Sequence, residues 1–306
     1  MSSPALSPQT RLARLDLPGG RLRMVLDTDT YNEIDDQFAL VYALLSPERL
    51  DVEAIYAAPF HNARSSGPAD GMEKSYEEIL RLLSRLGRSP DGFVFKGATA
   101  FLGETQKPVE SPAARDLIER ALAAPEDDPL YVVAIGAITN VASALLMEPR
   151  IVEKIVVVWL GGHAFFWPDS REFNLRQDVP AARTVFDSGV PLVHVPCLGV
   201  TSHLSVSPAE IEKYVRGRGA IGDYLADLFV EFVGTTPGRS KVMWDMAAVA
   251  YLLNSAWTPA DLVHSPIVTE QATWSFDSTR HLIRSVRYVA RDPIVQDFFT
   301  KLERSR

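Results

Sequence analysis

Residues 21–45 read RLRMVLDTDTYNEIDDQFALVYALL. In this stretch RMVLDT at 23–28 is an apolar run ending in acids, and DDQFALVYALL at 35–45 spaces Phe38, Val41, Tyr42 and Leu45 three or four apart, as on a helix face. A buried strand feeding a helix opens a βα unit, and the alternation continues along the chain. Strands are predicted at 52–59, 130–136, 154–162 and 191–196, and helices at 72–87, 112–124, 139–147 and 180–189. Tyr76, Ile79, Leu80 and Leu83 form the inward face of one helix, which Gly87 stops, while Ser111 and Pro112 open the next. Short apolar strands between amphipathic helices imply an α/β fold: a mostly parallel central sheet covered by helices on both faces. Residues 274–292 alternate loosely around Ser and Thr, predicting a C-terminal antiparallel hairpin before a last helix. In such sheets ligands lie at the carboxyl ends of strands, which directs attention to the loops after Leu26, Ala58, Ile135, Leu160 and Val195.

The chain has 306 residues, 46% hydrophobic and 23% charged, enough for a sizeable core. We expect one domain over 21–306, preceded by a loose Ser/Pro-rich tail at 1–20. The 39 acids against 31 bases give a net charge of −8 with no basic stripe, which argues against nucleic acid as a partner. A single cysteine, Cys197, excludes an intramolecular disulfide framework and a thiolate zinc site and suggests a cytoplasmic protein. Neither a secretory leader nor a membrane span is legible, so no membrane partner is expected.

The chemistry is concentrated in DTDTYNEIDD, residues 27–36, where Asp27, Asp29, Asp35 and Asp36 follow the first strand. Crowded carboxylates at a strand end repel one another, and burial sharpens the repulsion unless a cation neutralises it. Oxygen ligands suit calcium or magnesium, and calcium would need further oxygens from other loops. Asp35 and Asp36 also suit a helix N-terminus, which accounts for two of the four and gives no reason for Asp27 and Asp29.

The order of strand, Asp-x-Asp, short loop, Asp-Asp and helix resembles the amino-terminal motif of the inosine/uridine-preferring nucleoside hydrolases. Three later segments resemble that family in its own order: GAITNVASAL at 136–145, GGHAFFWPDSREFNLRQDVPAA at 161–182 and WDMAAVAYLLN at 244–254. The resemblance implies a Rossmann-like nucleoside hydrolase fold, a bound Ca2+, and hydrolysis of the N-glycosidic bond of a small-molecule ribonucleoside. It implies a cation held by Asp29, Asp36, Asp245 and the backbone carbonyl of Thr139, with Asp29 as general base and Asp27 ordering the ligands from behind. Asp35, Glu172 and Asn174 would then bind the ribose, and Asn62 is a weaker match to a further sugar contact. A homodimer or homotetramer is also implied. Two departures stand out. The loop Thr30–Ile34 is two residues longer than the family's Pro-Gly-x, and Trp244 occupies the place of a histidine that protonates the leaving base in well-studied members. His61, His163 and His203 are candidates for that task by their placement in loops after strands, and Phe165, Phe166 and Trp167 for stacking on a base, as well as for ordinary packing.

Two other readings remain open. VLDTDT also fits the strand and Asp-x-Asp of haloacid dehalogenase-type, magnesium-dependent phosphatases, although no matching later lysine or acidic segment can be placed. A non-catalytic nucleoside- or sugar-binding protein on the same scaffold would account for Trp244 and the longer loop.

Overall fold

The computed structural model describes residues 6–103 and 107–305. Its strands are β1 (Leu22–Thr28), β2 (Leu50–Ala57), β3 (Val94–Lys96), β4 (Leu130–Ala134), β5 (Ile155–Leu160), β6 (Leu192–Val195), β7 (Ser205–Val206), β8 (Lys241–Val242), β9 (Ala260–His264), β10 (Ile267–Val268), β11 (Trp274–Ser275) and β12 (Leu282–Val286). Eight of them form one sheet in the order β3-β2-β1-β4-β5-β6-β12-β9, parallel except where β9 closes the edge antiparallel to β12. In β5, Ile155, Val157 and Trp159 face one helical layer and Val156, Val158 and Leu160 the other, and all six are at most 1% exposed. Burial on both faces is why these strands read as continuous apolar runs rather than alternating ones.

The helices are α1 (Pro8–Leu15), α2 (Asp35–Leu44), α3 (Pro68–Arg85), α4 (Pro112–Ala123), α5 (Thr139–Met147), α6 (Phe173–Gln177), α7 (Val179–Asp187), α8 (Pro208–Tyr214), α9 (Gly219–Val233), α10 (Met246–Leu253) and α11 (Arg291–Arg304). One layer is built from α2, α3, α9, α10 and α11, the other from α4, α5 and α7. Every residue of α2 is buried, as expected of a helix apolar around most of its circumference. Phe38 fixes it by packing on Phe229 and Phe298, with ring centroids 6.2 and 5.6 Å away.

Several expectations are corrected. Residues 8–15 are not loose: Ser7 caps α1 by accepting from the Thr10 amide at 3.0 Å, Leu15 is buried, and Arg284 Nε donates to the Leu15 carbonyl at 2.7 Å. Residues 1–5 lie outside the described chain. Antiparallel pairing is present near the C-terminus, but 274–292 is divided between two pairs. Trp274 and Ser275 pair back with Val268 and Ile267, while β12 pairs with β9. The indole of Trp274 packs against Phe186 and His194, which draws β11 out of the central sheet. The helix expected at 72–87 begins at Pro68, and α8, α9 and the three-residue β3 were not anticipated.

Replacing Phe38 by Ala removes a fully buried ring shared by three helices. Urea unfolding should show a loss of about 3–5 kcal/mol, with little change in far-UV circular dichroism of the folded state.

Candidate active site

The chain runs from β1 outward to β2 and β3, then returns to β4 on the other side of β1. The loops after β1 and β4 therefore diverge at a topological switch point, where an open α/β sheet forms its ligand crevice. Asp27 is the penultimate residue of β1 and is fully buried. Asn140, at the start of α5, donates from Nδ2 to Asp27 Oδ1 at 2.8 Å and accepts from the Ala98 amide at 2.7 Å. One amide thus ties together the ends of β1 and β3.

Asp29 is also fully buried, and neither of its carboxylate oxygens has a hydrogen-bond donor among the described residues. It packs against Gly136, where an added Cβ would lie 3.0 Å from Asp29 Cγ, so the turn after β4 is shaped to admit it. Asp36 accepts from Thr28 Oγ1 at 2.6 Å, and one oxygen from each of Asp35, Asp36 and Asp245 falls within 4.8 Å of the others. Burial drives the Asp29 carboxyl well above the usual carboxylate range, reinforced by the charges of Asp36 and Glu172. Asp36 is raised to about 7 by burial and by Asp35, and Asp245 is driven up by burial and by Asp36, Asp35 and Asp29. Burial likewise lifts Asp27 to about 7, against the Asn140 hydrogen bond. Such a set is costly without a counter-charge. Hard oxygen donors left without a protein donor fit a hard divalent cation, and no thiolate or imidazole lies in the group.

Part of the counter-charge is internal. Lys241 Nζ donates to Asp35 Oδ1 at 2.9 Å and to Glu33 Oε2 at 2.7 Å. Burial opposes the charge on Lys241, but Asp35 and Glu33 outweigh it and hold its pKa above the ordinary lysine value. Thr139 donates from Oγ1 to Asp178 at 2.7 Å, which pins the start of α5.

Above the acids lies a cavity of about 290 Å³, at the small end for ligand pockets, whose wall includes Asp35, Asp36, Asp245, Glu172, Asn174 and Trp244. Glu172 caps α6 and accepts from the amides of Gly162 and Asn174, both at 2.8 Å, and of Leu175 at 3.0 Å. Asn174 spends Nδ2 on the carbonyls of Ile135 and Leu160, both at 3.0 Å, leaving Oδ1 without a partner among the described residues. Asn62 stands one residue back: it donates to Asn32 Oδ1 at 2.6 Å, and Asn32 reaches the cavity.

The three histidine candidates separate clearly. His163 lines the cavity. His61 lies outside it, with its backbone amide donating to Gln177, and His203 is bonded through Nε2 to the Val289 carbonyl and stacked on Tyr288. Phe165 packs into the core against His194, with ring centroids 5.1 Å apart, so base stacking is not open to it. Phe166 and Trp167 are exposed beside it, Trp167 with its ring centroid 6.3 Å from that of His163. The haloacid dehalogenase reading fails on position. Its nucleophile would be Asp27, which lies within β1, fully buried and held by Asn140. Sequence reasoning missed Lys241, the structural role of Asn140, and Arg171 and Arg176 in the cavity wall. A Thr-Asn pair after a strand was the signal for Asn140, and nothing local marked Lys241.

A family model described as inosine-uridine preferring nucleoside hydrolase matches residues 24–287. The chain belongs to that family. A relative named pyrimidine-specific ribonucleoside hydrolase RihA, from Klebsiella pneumoniae strain 342, is 33% identical over 236 residues, covering 69% of this chain and 71% of its own. The fold is shared with a plant nucleoside hydrolase (TM-score 0.75, 20% identity, 92% of this chain and 99% of that one). It is shared as well with a purine-preferring ribonucleoside hydrolase from Gardnerella vaginalis (TM-score 0.74, 23% identity, 92% and 98%). This family member is accordingly a hydrolase acting on N-glycosyl bonds. Among its described residues no helix is long and apolar enough to cross a membrane.

Linkage predicts how stability follows pH. Without a cation, folded Asp27 and Asp36 keep their protons up to about 7, whereas the ordinary value is 3.8. The folded chain then binds more protons across that interval, so their contribution is complete below about pH 4 and is lost as pH rises to about 7. Thermal midpoints in chelator should fall across this window, Asp27→Asn should flatten part of the fall, and a saturating divalent cation should remove most of it.

Proposed function

We propose that this nucleoside hydrolase is a calcium-dependent N-ribohydrolase that converts a ribonucleoside to ribose and free base. The observation that carries this reading is the buried, donorless carboxylate of Asp29 beside Asp36 and Asp245 under a sugar-sized cavity. Asp29, Asp36, Asp245 and the Thr139 carbonyl would hold the ion, which supplies Lewis acidity at the sugar face when bound.

The remaining chemistry belongs to the chain. Asp29 accepts the proton of the attacking water as that water adds to the anomeric carbon. Asp27, fixed by Asn140, backs the group from behind. Asp35, held in place by Lys241, and Asn174 through Oδ1 bind ribose hydroxyls. Glu172 reaches the same wall, where it accepts from the Gly162 amide to hold the 161–172 turn and from the Asn174 and Leu175 amides to cap α6. Trp244 offers an aromatic surface to the base, with Trp167 at the rim and His61 and Asn62 supporting the neighbouring loop. A cytoplasmic homodimer or homotetramer belongs to the same reading, supported by the single cysteine and the family resemblance.

A second reading, a binding protein without turnover, is favoured by one observation, the tryptophan in place of the expected histidine. A reducing-sugar assay over purine, pyrimidine and nicotinamide ribosides separates the two. We expect ribose release that chelator abolishes, that calcium restores, and that Asp29→Ala lowers at least about 1,000-fold. Calcium-dependent ligand binding with no ribose released would instead establish the binding protein, and phosphate release from phosphomonoesters would contradict both.

A further inference from the structure

We propose that His163, as a neutral imidazole protonated on Nε2, donates the hydrogen bond that stabilises the departing base. The inference rests on the N-ribohydrolase reading and fills the place that Trp244 leaves empty.

The geometry holds this residue unusually firmly. It follows the Gly161–Gly162 turn at the carboxyl end of β5 and is 8% exposed. Its backbone amide donates to Ser170 Oγ at 3.1 Å, and its carbonyl accepts from the indole of Trp274 at 3.1 Å. The ring is fixed as well, because Nδ1 accepts the Leu198 amide at 3.3 Å. An amide can only donate, so Nδ1 carries no proton and the neutral ring must carry it on Nε2. Every other polar atom of His163 is committed, whereas Nε2 has no partner among the described residues and the side chain lines the cavity. The Gly162 position protects this arrangement: its φ is +74°, and a Cβ there would lie 2.6 Å from Ser170 Oγ, the acceptor of the His163 amide.

No other histidine lines the cavity. His194, on the strand beside β5, is fully buried and uses both nitrogens, on Gly161 O at 2.8 Å and Ser285 Oγ at 3.2 Å. His61 and His203 lie outside the cavity. Trp244 packs against the α2–α10 layer, so it walls the site with a ring that holds no dissociable proton near neutrality. Burial also lowers the His163 pKa, with Asp169 opposing, which keeps the ring neutral.

The C1′–N bond breaks with its electron pair going to the base nitrogen. The water oxygen bonds to C1′ and its proton passes to Asp29. The hydrogen bond from Nε2–H takes up negative charge developing on a ring nitrogen or carbonyl of the base. Solvent then protonates the base and accepts the proton from Asp29, so one water is added across the bond. A preorganised neutral donor of this kind acts electrostatically rather than as a full acid. It therefore suits leaving groups that carry an acceptor, as purines and pyrimidines do.

The test compares inosine and uridine with p-nitrophenyl β-D-ribofuranoside, whose leaving group needs no help. His163→Ala should lower kcat on the two nucleosides at least about 100-fold but by less than about tenfold on the nitrophenyl riboside. His163→Gln, which retains an N–H at a similar reach, should recover at least about tenfold of the nucleoside loss. Nitrogen-15 shifts of the His163 ring in the calcium-loaded wild-type protein should show Nε2 protonated and Nδ1 bare at neutral pH. Equal losses on both kinds of substrate, no loss on nucleosides, or an Nδ1-protonated ring would overturn the assignment. Wild-type enzyme inactive on all three substrates would overturn the N-ribohydrolase reading and this inference with it.

Discussion

Like-charge repulsion at the end of β1 is the constraint around which this molecule is arranged. Asp27, Asp29, Asp35 and Asp36 reach that point from one loop and Asp245 from the start of α10, all nearly or fully buried. Nothing in a packed α/β core tolerates such a density of carboxylates unaided. The surrounding structure offers compensation piece by piece: the Thr28 hydroxyl to Asp36, the Asn140 amide to Asp27, the Lys241 ammonium to Asp35. The compensation is incomplete at Asp27, where Oδ2 has no partner, and absent at Asp29, where neither carboxylate oxygen meets a donor among the described residues. The site is thus defined as much by the donors withheld as by the acids supplied.

The scaffold makes this arrangement possible by locking what surrounds it. Because α2 is buried on all sides and clamped by the rings of Phe229 and Phe298, the acidic loop is anchored at both ends, by a central strand and a central helix. Asn140 gathers the ends of neighbouring strands, and Gly97 is part of the same knot. A Cβ there would fall 2.1 Å from the Ala57 carbonyl and 2.4 Å from Asn140 Nδ2. The position therefore accepts glycine alone. Tight packing of this kind keeps five acids in register without relying on hydrogen bonds among themselves.

How much of this was readable beforehand depended on distance along the chain. The parallel sheet was legible because burial on both faces leaves a local mark, unbroken apolar runs. The acidic loop was legible because its residues are neighbours in sequence. Asp245 could be found only through the family resemblance, since one aspartate before a helix looks like many others. Lys241 and Asn140 were not legible in their roles, because each acts on a partner 206 or 113 positions away. The N-terminal helix was overlooked for a different reason. Ser and Pro suggested a loose tail, whereas Ser7-Pro8 is a helix start, and Leu15 finds its burial against β12 only in the folded protein. The histidines show the same limit: three loops after strands looked equivalent, and only the folded chain shows which ring faces the cavity.

The β7–β8 ribbon has a mechanical consequence. Lys241, Trp244 and Asp245 leave it within five consecutive residues, contributing a counter-charge, an aromatic wall and a carboxylate. A displacement of that ribbon moves all three together. The aromatic wall of the cavity and two charged groups of the acidic centre are therefore positioned by one short segment, and a substitution that shifts it alters both at once.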